Sequence, residues 1–155
     1  MCDGLTSTLL AAAVSGVAGV LAWIVTNFFA EPLLEFRKLR KAVHESLFFN
    51  ANVGSISKGE SIDVASVDLR RYAAALNAFW VTAPNVVKAY LARCGYNVEG
   101  ASSNLVGFSN SIHLEEGTRA IHRYRIEKGL RLPLSYTDEE IQDVIAENRR
   151  RNSRS

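Results

Sequence analysis

Between Asp3 and Glu31 the chain carries no charged side chain, and that run constrains everything else it can build. An α-helix rises about 1.5 Å per residue, so residues 5–30 suffice to cross a hydrocarbon core of ~30 Å with room for tilt. A transmembrane helix over residues 1–30 is the expectation. A secretory signal would need a basic start, an apolar core of roughly 7–15 residues and a small-x-small cleavage site. This chain starts Met1-Cys2-Asp3-Gly4, its apolar run is longer, and Phe28 stands three positions from the run's end. The segment therefore reads as a retained anchor.

Charge then orients it. Arg37, Lys38, Arg40 and Lys41 follow the span closely. Basic flanks stay on the cytoplasmic side, which leaves the first residues outside and residues 31–155 within. The same four side chains lie at headgroup depth, where each basic group near anionic lipid contributes about 1 kcal/mol. Ala12, Ser15, Gly16 and Gly19 place small residues four apart on the span. Lipid gives helices no hydrophobic reason to associate, so such a face matters by letting a second backbone come close.

Beyond the span the chain reads as helices throughout. Phe36, Leu39, Val43 and Leu47 recur at steps of three and four, continuing the anchor into an amphipathic helix that Pro32 need not break. Residues 50–59, with Gly54, Ser55 and Ser57, read as a loop. A further helix starts between Asp63 and Asp68, with Leu69, Tyr72, Ala73, Leu76 and Trp80 on its apolar face. Thr82 is the expected cap of the next segment, which Gly95 closes. Asn97 caps another, with Val98, Ala101, Leu105, Phe108 and Ile112 aligned. A basic helix over residues 117–128 follows. Thr137 and Glu140 have capping-box spacing before a last helix that ends in Arg149, Arg150 and Arg151. The expectation is an all-α fold. It comprises the anchor (residues 1–30), a cytoplasmic helical bundle (31–132) and a C-terminal helix with a basic tail (133–155).

The chain offers little for catalysis. Cys2 and Cys94 are far apart, and His44, His113 and His122 show no metal-ligand spacing with Glu45, Glu115 or Glu116. Ser55-Ile56-Ser57-Lys58 has the letters of an acylating serine motif without its supporting motifs. No phosphate loop is present, and a net charge of +2 is too mild to imply nucleic acid. No catalytic residue, metal or cofactor is expected. The segment Leu105-Val106-Gly107-Phe108-Ser109-Asn110-Ser111 is unusual, since Gly107 costs a helix interior about 1 kcal/mol relative to Ala. It reads equally as a partner contact through Asn104, Gly107, Ser109 and Asn110, or as a marginal helix running into a turn.

The N-terminal span, Phe36-Arg37-Lys38-Leu39-Arg40, Phe48-Phe49-Asn50-Ala51-Asn52 and the Leu105–Ser111 segment together resemble small, uncharacterised single-pass proteins of the bacterial inner membrane. The resemblance implies that membrane and no catalytic residues. The expected partners are the lipid bilayer and either a second copy or other membrane proteins. The expected role is a non-enzymatic homo-oligomer or accessory subunit. A membrane-disturbing effector with a cytoplasmic sensing domain, and an enzyme using Asn104, Ser109, Asn110 and His113, are the alternatives.

Overall fold

The computed structural model describes residues 2–50, 60–112 and 116–152, with side-chain surroundings for residues 14–50, 63–112 and 116–151. Helices account for all regular structure among them. In order these are α1 (Cys2–Val25), a π-helical turn (Thr26–Ala30), α2 (Glu31–Phe49), α3 (Glu60–Thr82), α4 (Asn85–Arg93), α5 (Val98–Ser111), α6 (Glu116–Gly129) and α7 (Asp138–Asn152). The fold is all-α, as the periodicity indicates.

α1, the π turn and α2 follow without a loop and form one rod. Pro32 accounts for the wide turn. It has no N–H for the carbonyl four residues back, and its ring crowds that carbonyl. The Glu31 N–H bonds instead to the Thr26 carbonyl, five residues back, and Pro32 then falls in the first turn of α2, where proline is tolerated. This N-terminal helix is long and apolar enough to cross a membrane. An 18-residue window within Val14–Phe49 has a mean hydropathy of 1.6, and none of that window is buried.

The bundle begins where the rod becomes amphipathic. Phe36, Val43 and Leu47 of α2 are buried against α3, whose own stripe is Ala65, Leu69, Ala73, Leu76 and Phe79. α3 starts at Glu60, about a turn before the expected Asp63. Phe79 takes the core position rather than Trp80. The indole sits at the edge, with the Lys88 ammonium 5.8 Å from its ring centre. α5 is the central helix, packed on α3 through Ala101, Leu105 and Phe108 and on α6 beside Ile126 and Leu130. α7 adds a smaller apolar cluster on α6, formed by Ala120, Tyr124 and Ile141 with Tyr136 and Ile145.

The helix ends explain how the bundle closes. The Asn97 side chain accepts from the Gly100 N–H at 2.9 Å, and Thr137 and Glu140 bond each other's backbone N–H at 3.2 and 2.7 Å. Thr82 does not cap α4. Its hydroxyl bonds back to the Ala78 carbonyl at 2.9 Å, while Pro84, extended at φ −57° and ψ 145°, precedes the helix. α4 and α6 end alike. Tyr96 N–H bonds to the Leu91 carbonyl and Gly95 N–H to Ala92; Leu132 N–H bonds to Glu127 and Arg131 N–H to Lys128. Gly95 (φ 79°) and Arg131 (φ 51°) hold the left-handed position in these two motifs. For an L side chain that conformation costs about 1–2 kcal/mol, so Arg131 is kept there against a backbone preference for glycine.

Beneath this second motif lies Glu127, only 2% exposed. Its carboxylate accepts from Arg123 Nε at 2.9 Å, Ser135 N–H at 2.7 Å and Ser135 Oγ at 2.6 Å. It thereby pins the connection between α6 and α7. Tyr124 and Lys128 meet Asp138 on the same side, the ammonium at 3.2 Å.

Candidate membrane-proximal site

The apolar side chains of the described part of α1 lack cover from the bundle. Val17, Val20 and Trp23 are each 60% exposed, so apolar surface faces outward on several sides of the helix. Ser15, Gly16 and Gly19 are exposed, and a Cβ built on either glycine would meet nothing within 4 Å. The surroundings of Ala12 lie outside the described residues. The small-residue face is thus open along its described part.

Where the uncharged run ends, α4 comes alongside the rod. The Phe29 ring of the π turn meets Tyr90 edge-on at 5.3 Å. Two turns further, Phe36 stacks on Phe79 at 5.7 Å and takes the edge of Tyr96 at 5.0 Å. A groove of about 570 Å³ opens between α2 and α4. Leu33, Phe36 and Leu91 make its apolar lining; Arg37, Arg40, Arg131, Tyr90, Cys94 and Tyr96 complete it, and none of these residues is acidic.

The basic residues of this region have separate tasks. Arg40 reaches the end of α6, donating from Nε to the Leu130 carbonyl at 2.8 Å and from Nη2 to the Arg131 carbonyl at 2.5 Å. A cation here also faces the negative end of the α6 dipole. Arg131 Nη1 donates to the Cys94 carbonyl at 2.6 Å, crossing in front of Gly95. Lys41 pairs with Glu45 at 3.5 Å in full view of solvent, a contact of little energetic weight. Lys38 and Arg37 are exposed. The Cys94 thiol beside it holds the Tyr90 phenol above its ordinary pKa, aided by partial desolvation, while the nearby Arg37 charge pulls the other way.

The unusual segment of α5 is engaged inside the chain. Ser109 is buried; its hydroxyl donates to the Val106 carbonyl at 2.8 Å and accepts from Arg70 Nε at 3.3 Å. Asn110 Oδ1 accepts from Arg70 Nη2 at 2.9 Å. Asn104 donates to the Gly100 carbonyl at 2.7 Å and meets His122 Nδ1 at 3.1 Å. Gly107 lies under the His122 ring, where a Cβ would come within 2.4 Å of Cε1. The helices these groups meet are α3 and α6 of the same molecule. His113, Glu115 and the Ser55-Ile56-Ser57-Lys58 motif fall outside the described residues.

Burial, and then the Arg125 charge, holds the His122 imidazole below its ordinary pKa. Gly107→Ala is expected to lose about 1 kcal/mol of stability, because crowding of the ring outweighs the gain in helix propensity. The added methyl pushes the ring outward, so its pKa rises back toward the ordinary histidine value. Denaturant unfolding and NMR titration of His122 check both effects. Adding His122→Ala should turn Gly107→Ala into a gain.

Tyr90, Tyr96 and Arg131 escape sequence reading. Tyr90 reads as one more apolar face residue of α4, and Arg131 lies past the expected end of the basic helix at residue 128, some 90 positions from the helix it joins. Comparison with family models, curated proteins and solved structures finds no match for this chain.

Proposed function

We propose that the chain is a non-enzymatic, single-pass protein of a bacterial inner membrane. Its N-terminus lies outside and its helical bundle in the cytoplasm. It assembles through the transmembrane helix as a homo-oligomer or as an accessory subunit of a membrane complex. The observation that carries this reading is the continuity of an uncovered apolar helix with a well-packed bundle. Apolar surface of this extent is unfavourable in water, at roughly 25 cal/mol per Å². Lipid covers most of it, and the open face at Ser15, Gly16 and Gly19 admits another helix closely. Basic residues after the span support the orientation.

Mass measurement of the intact particle in mild detergent tests the assembly. The wild-type particle is expected to contain more than one chain. Replacing Gly16 and Gly19 together by Leu puts bulk between the backbones and should weaken association at least about tenfold, on the order of 1.4 kcal/mol. A wild-type particle of one chain, or unchanged assembly in the double variant, would remove association through this face.

A further inference from the structure

We propose that the groove between α2 and α4 binds the headgroup phosphate of an anionic phospholipid, with Arg37 and Arg131 as its charged contacts. The proposal rests on the reading of α1 as a membrane span. Arg37 follows Ala30 by about 10 Å along the rod, within reach of the headgroup layer for a side chain that bends back toward it. Phe29, beside Ala30 on the rod, is in ring contact with Tyr90 of the α4 wall and marks the end of the groove nearest the span. The groove thus opens where a lipid phosphate lies, with Leu33 toward the acyl side.

Its chemistry suits that ligand. The lining has three arginines and no acid. Arginine presents paired N–H groups to phosphate oxygens in a planar fork, and in a site shielded on one side by Phe36 and Leu91 the pairing is stronger than on open surface. Arg40 is spent on two backbone carbonyls, which leaves the other two. Arg37 makes no hydrogen bond to a described residue. Arg131 uses Nη1 on the Cys94 carbonyl, a bond that fixes its guanidinium at the groove while Nη2 keeps its donors.

The backbone provides a second line of argument. α4 closes with glycine in the left-handed position and α6 closes with the same hydrogen bonds around Arg131. Glycine would serve the turn better there. A guanidinium held at the groove mouth gives the strained residue a purpose, and it makes the proposal separable from folding.

The experiment uses the full chain in mild detergent, with phosphatidylglycerol or phosphatidylcholine added and lipid adducts counted by native mass spectrometry. Wild type is expected to retain phosphatidylglycerol at one per chain in preference to phosphatidylcholine. Arg37→Gln and Arg131→Gly should each lower its occupancy about fivefold, the weight of one basic group at a lipid surface. The Arg71→Gln/Arg93→Gln variant removes two exposed charges of the bundle outside the groove and should retain the lipid. Thermal unfolding should show Arg131→Gly folded. Equal loss in this double variant would reduce the effect to general surface attraction and overturn the site. Equal retention of the two lipids, or unchanged binding in both arginine variants, would also overturn it. Displacement of the lipid by millimolar inorganic phosphate would assign the groove to free phosphate instead. Resistance of the chain to alkaline extraction from membranes reports the span by itself, so failure of that reading is distinguishable from failure of the groove.

Discussion

Glu127→Ala is expected to remove about 3–5 kcal/mol of stability, the range for deleting one partner of a buried ion pair. The carboxylate is 2% exposed and satisfies three donors at once. Its removal leaves the Arg123 guanidinium, whose side chain is only 17% exposed, without its counter-charge. It also frees Ser135, and with it the turn that leads to Thr137 and the start of α7. Denaturant unfolding of the full chain in detergent measures the loss. Limited proteolysis should show cleavage between α6 and α7 before the rest of the bundle yields. The double variant Arg123→Leu/Glu127→Ala should lose less than the sum of the single changes, because no buried charge is then stranded. A single-variant loss under about 1 kcal/mol would place the pair among ordinary exposed ion pairs.

Local signals were the legible part of this fold. The stripe on α2, Asn97, the Thr137–Glu140 box and Gly95 each carry their meaning within a few residues and the structure uses them as read, while the uncharged run forms a helix long and apolar enough to cross a membrane. Thr82 failed because a hydroxyl near a helix end can bond back to its own helix as readily as forward, and Pro84 set the actual boundary. The first turn of α3 was hidden because periodicity sees only apolar residues, and Glu60 contributes none. The α5 segment shows the limit most clearly. Gly107 with its Ser and Asn neighbours lies on a helix approached closely on a polar side, yet nothing local says that the approaching groups are His122 and Arg70 of the same chain. The groove lies further out of reach. Its walls come from α2, the end of α4 and the residue closing α6, and only tertiary packing brings Arg131 to Cys94 and Arg40.

That packing meets at Phe36, and Phe36→Ala is the second large effect expected, at about 3–5 kcal/mol. The ring is 2% exposed, stacks on Phe79 at an interplanar angle of 28° and receives the edge of Tyr96 at 81°. Aromatic pairs of this kind contribute about 0.5–1.5 kcal/mol beyond the area they bury. Truncation therefore opens a cavity where the rod, α3 and the turn after α4 join. Thermal unfolding in detergent should fall by on the order of 10 °C, while Phe36→Leu, which keeps most of the volume, should fall much less. Leu34→Ala is the matched control, since Leu34 is 55% exposed and one turn of the rod offers it no bundle contact among the buried cluster. If Leu34→Ala shifted the transition as far as Phe36→Ala, the rod would not be locked to the bundle through this ring. If only Phe36→Ala does so, the rod is locked to α3 and to the turn after α4 through this ring, and the same side chain that anchors the bundle also lines the groove.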